Sequence, residues 1–558
     1  MQIHISVNNK SLEARKGETI LNVLNRHGIR VPTLCHLDEF TPTGSCRMCV
    51  VEIAGRNELI PACSQPVEEG MEIMTHSPRV INARKTIVEL LLANHPDDCL
   101  YCENNQHCEL QDLAVELNIM ERRFFGGKKP QNKDKSSPAI VKDNAKCILC
   151  GRCIRVCDER VQASAIDFSG RGVNTKIDTA LGKGLNYSTC ISCGQCILVC
   201  PSGALTEKSA ITQVMDAINN PKTKIYAQLA PALGYTLAEE LNFKAGTDIT
   251  PLIIRGLKQA GIDVVFDSAY AGDIFVLETA QHIMDTKKSP VIISSCPAVI
   301  RYMEQFDPEA LSYTNPTKTP QQILGKLTKS IYAKSKNLPQ HEVFTVSITP
   351  CTAAKAEATR TDTMSQGIPD VDAVLTTREL LRLLKLSGVD LHNIDEARFN
   401  APYHVSSSAG SLYNIPGGLS EAVFRSMHNA LTGKDPTRQK MPDLRSIKQE
   451  KSAKFTIDKK KYTVKVVSGI HNIDKHLQEI ISGEATFDIL ELSNCTMGCM
   501  GGGGQPLKDH NGERTKMLIK SLYKTDDKAQ MKSAHSNPLV KAFVKDKDVN
   551  LNHKFDVS

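Results

Sequence analysis

The sequence predicts a multidomain α/β protein, and three observations carry that reading. At 558 residues the chain is too long for one hydrophobic core. Between residues 220 and 506 short apolar runs alternate with helical stretches, the pattern of a mostly parallel sheet with helical crossovers. Fifteen of the 19 cysteines lie in clumps before residue 201, as expected of small domains built around metal rather than around a large apolar core.

Composition narrows the function. Apolar residues make up 41% of the chain, ordinary for a globular protein, and Trp is absent. The net charge, 68 minus 62 or +6, is too small and too scattered for a nucleic-acid binder. A mild positive surface suits an acidic protein partner. No run of about 18 apolar residues is present, so no membrane span is expected. The opening MQIHISVNNKSLEARKGE lacks the apolar block of a signal peptide, which gives a cytoplasmic expectation. In that reducing compartment the cysteines are not expected to form disulfides.

Taken in order, residues 1–80 begin with a hairpin, MQIHISV and SLEARK around Asn8-Asn9-Lys10, then a helix from Thr19 to His27. Residues 81–123 read as helical, with Ile81, Ile87, Leu90 and Leu91 at helical spacing. The stretch 124–138, rich in Gly, Lys and Ser, reads as a linker. Residues 138–210 hold two cysteine quartets. In 220–506 the strands are KIYAQLA, DVVFDSA, PVIISS, EVFTVSI, TVKVVSG and FDILEL. The tail 507–558 is polar and mainly helical.

The quartets differ in how specific they are. Cys147, Cys150, Cys153 and Cys157 read C-x2-C-x2-C-x3-C, and Cys190, Cys193, Cys196 and Cys200 repeat it. This is the two-cluster ferredoxin run, in which the fourth cysteine serves the other cluster. Cys147, Cys150, Cys153 and Cys200 would hold one [4Fe–4S] cluster, and Cys157, Cys190, Cys193 and Cys196 the second. Cys35, Cys46, Cys49 and Cys63 suit a [2Fe–2S] cluster, with zinc the alternative. His95, Cys99, Cys102 and Cys108 suit either zinc or a His-ligated [4Fe–4S] cluster; their place in a row of redox centres favours iron–sulfur. Cys296, Cys351, Cys495 and Cys499 remain, on three separated segments, the last two before Gly501–Gly504. Four thiols at the end of such a row predict a further metal centre.

The order of these runs, with HPDDCLYCENNQHC and the late segments TPQQILG, PGGLSEAV, SGEATFDILEL and SAHSNPLVKAF, resembles the [FeFe]-hydrogenases of the long type, with four accessory clusters, over nearly the whole chain. The resemblance implies an N-terminal β-grasp ferredoxin-like domain (1–80), a small helical His/Cys cluster domain (81–126), a bacterial two-[4Fe–4S] ferredoxin domain (138–210) and a large α/β H-cluster domain (220–506) with a helical extension (507–558). It implies one [2Fe–2S] cluster, three accessory [4Fe–4S] clusters and an H-cluster: a [4Fe–4S] cube joined to a diiron unit carrying CO, cyanide and a dithiolate amine. Cys296, Cys351, Cys495 and Cys499 would bind the cube, with Cys499 the bridge. Ala230, Pro231, Pro320, Gln321 and Gly502 would line the pocket. The implied substrates are H2 and protons, the electron partner ferredoxin or a flavoprotein, and maturation proteins would load the diiron unit.

The chain departs from the family where protons move. Ser295 stands at the family's proton-relay cysteine, and a hydroxyl is a far weaker acid than a thiol. The usual glutamates fall near Thr279 and His282, with Glu278 a substitute. Thr349 replaces a Met of the second signature. Ala354 takes the place of the usual lysine and Lys355 comes one residue late, about 100° around a helix, while Glu357 keeps its place. Ala232 and Ser493 replace a serine and a methionine near the diiron unit. The expected function is reversible H2 oxidation and proton reduction with slowed proton transfer. An H2 sensor and an electron-transfer subunit without the diiron unit are the alternatives. The chain carries no G-x-G-x-x-G after a strand, so no nucleotide site is expected.

Overall fold

In the computed structural model, which describes residues 2–128, 132–231, 233–365, 367–506, 512–545 and 549–553, the first hairpin pairs Gln2–Val7 with Lys10–Arg15. Asn8 and Asn9 take positive φ, 49° and 65°, as a two-residue turn between twisted strands demands. Strand Gln2–Val7 also pairs in parallel with Glu72–Met74, which lies antiparallel to Val50–Ile53. This mixed sheet packs against helix Ile20–Arg26, whose N-cap Thr19 accepts from Asn22 N.

The stretch read as one helical region is two helices, Pro78–Asn94 and Glu109–Glu116, with the His/Cys loop between them. The buried face of the first was misassigned. Ile81 and Leu90 are exposed, and Val80, Arg84, Val88 and Ala93 turn inward. Arg84 tolerates burial because its guanidinium donates to the Val50 carbonyl at 2.8 Å, tying the helix to the first domain.

The second large departure is the sheet. The six apolar runs are all strands, but they divide between two four-stranded sheets, completed by Ala373–Thr376 and Glu450–Ile457. Strands Val264–Asp267, Lys224–Leu229, Val343–Thr349 and Ala373–Thr376 are wholly parallel. Val291–Ile293, Ile489–Ser493 and Lys460–Ser468 are parallel, and Glu450–Ile457 closes that sheet as an antiparallel edge. One apolar cluster draws on strands of both sheets, and a further cluster packs against each. The tail supplies helices Glu513–Lys528 and Pro538–Lys545. No helix among the described residues is long and apolar enough to cross a membrane.

Candidate active site

Three of the four late cysteines sit at or just past the carboxyl ends of parallel strands: Cys296 beyond Val291–Ile293, Cys351 beyond Val343–Thr349, Cys495 beyond Ile489–Ser493. In parallel α/β sheets that is where ligands bind. Here two sheets point their carboxyl ends into one crevice. Cys499 joins from the one-turn helix Gly498–Gly501. All four line a single cavity enclosing about 790 Å³ free of protein atoms, part of it open to solvent. Burial pushes each thiol up, and at Cys495 the neighbouring Cys296, Cys351 and Cys499 add to the rise. Four buried thiols gathered on one cavity are poor neighbours as thiolates until a cation neutralises them, so the donor set fits a metal cluster.

Ser295, Glu357, Pro320, Gln321, Ala354, Ser493 and Gly502 line the same cavity. Glu278 and Lys355 do not. Lys355 turns away, its Nζ 2.7 Å from Glu379 and 2.6 Å from the Val374 carbonyl. The one-residue shift has moved the lysine to the far face of its helix and left Ala354 on the cavity side. Glu278 is half-buried on helix Ser268–Asp285. Ala230 and Pro231 stand one layer back; the Pro231 carbonyl accepts from Asn414, which does line the cavity. Ala232 lies outside the described residues. The Ser295 hydroxyl donates to the Tyr413 carbonyl at 3.2 Å. Thr279 donates to Phe275 O at 2.6 Å and accepts from Asn315 at 2.7 Å.

Tyr413 and Glu491 are among the lining residues that escaped the sequence reading. Tyr413 comes from a segment with no cysteine. Glu491 is buried mid-strand in FDILELSNC, where a lone charge four residues before Cys495 was a signal. Its carboxylate accepts from Gly417 N at 2.6 Å and Ser420 N at 2.7 Å, which anchors the start of helix Gly418–Thr432. The glycine run packs on the protein itself. A Cβ on Gly502 would meet the Pro350 carbonyl at 2.4 Å, and one on Gly503 the Cys193 carbonyl at 2.3 Å.

Gly503 thus presses the cavity loop onto the second ferredoxin-like run. Gln195 of that run donates to Cys495 Sγ at 3.4 Å and to the Gly501 carbonyl at 2.9 Å. Within the runs, Cys200 lies near Cys150 and Cys153, and Cys157 near Cys190, Cys193 and Cys196, the crossed grouping expected from the spacing. Cys147, Cys150, Cys153 and Cys200 line one further cavity. Cys35 contacts Cys46 and Cys63, and Cys49 contacts Cys63. Cys108 lies near Cys99 and Cys102. His95 holds its Nδ1 on the Pro96 carbonyl at 3.1 Å, and its buried Nε2 makes no hydrogen bond of good geometry. Metal-binding imidazoles are oriented this way, one nitrogen fixed on a carbonyl and the other left for the metal. Among the described residues, no three His, Cys, Asp or Glu side chains crowd on one point as a single ion would require; a cluster shares its thiolates among several irons.

A chain of cysteine groups running into a cysteine-lined cavity defines an iron–sulfur oxidoreductase. Residues 223–503 match the model of the iron-only hydrogenase large subunit, C-terminal domain, and the chain belongs to that family. Residues 1–78 match a 2Fe-2S iron-sulfur cluster binding domain, 84–123 the NADH-ubiquinone oxidoreductase-G iron-sulfur binding region, and 146–204 a 4Fe-4S dicluster domain. The NADP-reducing hydrogenase subunit HndD of Solidesulfovibrio fructosivorans is 34% identical, across 96% of this chain and 94% of that one. Iron hydrogenase 1 of Clostridium pasteurianum is 31% identical, across 97% and 96%. The structure of a variant of HydA1 from Chlamydomonas reinhardtii aligns with a TM-score of 0.54 at 25% identity, covering 62% of this chain and 98% of that one.

Proposed function

We propose that the chain is an [FeFe]-hydrogenase that interconverts H2 with protons and electrons in the cytoplasm. The observation that carries this is the convergence of Cys296, Cys351, Cys495 and Cys499 on one cavity at the carboxyl ends of two sheets. These four would hold the cube of an H-cluster, with Cys499 as the bridge. When bound, that cluster supplies the iron at which H2 binds and the amine that takes its proton. Pro320, Gln321, Ala354, Ser493 and Gly502 shape the space around it. Cys190, Cys193 and Cys196 with Cys157 would hold the next cluster, and Cys147, Cys150 and Cys153 with Cys200 the one beyond. From there the route divides toward His95 with Cys99, Cys102 and Cys108, and toward a [2Fe–2S] site at Cys35, Cys46, Cys49 and Cys63. The likeness to an NADP-reducing hydrogenase subunit and to the NADH-ubiquinone oxidoreductase-G region supports a nucleotide-linked flavoprotein as electron partner, with ferredoxin the other candidate. Maturation proteins would load the diiron unit.

The test is an infrared spectrum of the anaerobically matured protein under argon and then under H2. Metal-bound CO and cyanide bands that shift under H2 are expected. Their absence from a sample with full iron would overturn the reading and leave an electron-transfer subunit.

A second reading, an H2 sensor, is favoured by Ser295, whose hydroxyl is engaged with a backbone carbonyl. Slow proton delivery hinders an enzyme more than a detector. Ser295→Cys is expected to raise H2 evolution by less than about tenfold, well short of what a complete acid–base relay contributes. The reason is that Thr279, behind it, is held by Phe275 and Asn315 and is no acid. A gain of 100-fold or more would place the whole limitation at Ser295.

A further inference from the structure

Residues 550–553 pair with the segment that leads into the cavity wall. Leu551 O accepts from Lys318 N at 2.8 Å, His553 N donates to the Pro316 carbonyl at 2.7 Å, and the Lys326 ammonium donates to Asn550 O at 2.7 Å. This short pairing lays residues 550–553 along the segment that leads into Thr319, Pro320 and Gln321 of the cavity wall. It brings His553 into the neighbourhood of Glu357, the carboxylate that faces the cavity: Thr317 bridges Asn552, and Thr319, two residues on, donates to Glu357 at 2.9 Å. The imidazole Nδ1 stands 3.4 Å from Asp362 Oδ2. Asp362 accepts from Arg360 at 2.8 Å, and Arg360 pairs with Glu304 at 2.7 Å.

These groups form a file of graded exposure. Glu357 is 4% exposed, the His553 side chain 8%, Asp362 16% and Arg360 28%. Neighbouring polar groups that grow steadily wetter from a cavity outward are what proton passage requires. The Gln322 amide, buried beside Glu357, keeps this stretch polar.

We propose that His553 carries protons between the cavity carboxylate Glu357 and the surface, in place of the relay that Ser295 cannot complete; this rests on the hydrogenase reading above. In the outward direction, a proton leaves protonated Glu357 for the imidazole. Glu357 is left as carboxylate and His553 as imidazolium, and loss of the proton to water restores the ring. Asp362 positions and stabilises the imidazolium and does not take the proton. Burial pushes its carboxyl up, but His553 and Arg360 outweigh that and hold it well below the usual range. The other charges around the ring are Arg360 and Glu304, with Lys318 tied up at 2.9 Å by Asp370. Burial raises Glu357, against the pull of His553 and the Thr319 hydrogen bond, so it can hold a proton at higher pH than an exposed glutamate.

The test compares wild-type holoenzyme with His553→Gln and His553→Ala. H2 evolution by His553→Gln is expected to fall at least about tenfold, with CO and cyanide bands unchanged. Added imidazole is expected to restore turnover to His553→Ala. A readout apart from turnover is the infrared carboxyl band that shifts in D2O and is missing in Glu357→Gln. Removing the nearby cation should make that band persist to higher pH in His553→Gln. Wild-type turnover together with an unmoved carboxyl titration in His553→Gln overturns the proposal alone. A wild-type protein with full iron but neither CO and cyanide bands nor turnover overturns the hydrogenase reading, and the proposal with it.

Discussion

Glu357→Gln is expected to lower H2 turnover by about 100-fold while leaving the fold intact, the lower range of what a positioned acid or base contributes. The carboxylate accepts from Thr319 at 2.9 Å on Oε1 and from Gln321 at 2.9 Å on Oε2. An amide in its place can keep its oxygen toward the Gln321 NH2, which also donates to the Ala354 carbonyl, and turn its own NH2 toward the Thr319 hydroxyl, a group that accepts as well as donates. A buried hydrogen bond exchanged for another changes stability by about 1 kcal/mol at most. The variant should therefore melt near the wild type and keep its iron, yet it has no group that can gain and lose a proton. Turnover and its pH profile, set beside melting and iron content, make the check. Equal turnover would remove Glu357 from proton delivery and leave it a wall residue.

Much of this site was legible because metal chemistry imposes spacing. The spacings inside each ferredoxin run and the step from Cys495 to Cys499 are local facts that survive any tertiary detail. The turning away of Lys355 was legible for the same reason, since a helix converts one residue of slip into a fixed rotation. What periodicity could not reveal was which partner a face meets. Ile81 and Leu90 are apolar and correctly spaced, yet the helix buries Arg84, because the Val50 carbonyl lies across from it and satisfies the guanidinium. The split into two sheets was hidden too, because a strand's neighbours are set by long-range register. Val291–Ile293 pairs with Ile489–Ser493, nearly 200 residues on, and not with the preceding Val264–Asp267. His553 was invisible for that reason as well: its role depends on a pairing with Pro316 and Lys318 that no local pattern encodes.

Asp526→Ala is expected to destabilise the C-terminal helix Glu513–Lys528 by about 3–5 kcal/mol, the cost of breaking one side of a buried ion cluster. Asp526, 2% exposed, accepts from Arg425 at 2.7 and 2.8 Å and from Ser408 at 2.6 Å, and it also meets Arg445. Removing it leaves the buried Arg425 guanidinium with only Glu421 and the Lys532 carbonyl, while Arg445, 30% exposed, keeps Glu421 and Asp527. Burial pushes the Asp526 carboxyl up, but Arg425, Ser408 and Arg445 outweigh that and leave it lowered. A carboxyl lowered by folding stabilises the fold above its unfolded value of about 4, and that contribution is lost as pH falls through the folded value. The gap between variant and wild type should thus be full at neutral pH and shrink in acid. Unfolding of so many domains is not two-state, so the measurement is amide exchange along 513–528, which reads local opening. The consequence for the site follows from packing. Leu518, Ile519, Leu522 and Tyr523 on this helix pack in one cluster with Met497, Cys499 and Met500. Loosening the helix removes the apolar wall behind Cys499, so iron content should fall together with exchange protection. Unchanged exchange with lost iron would separate the two and show that Asp526 does not hold that wall.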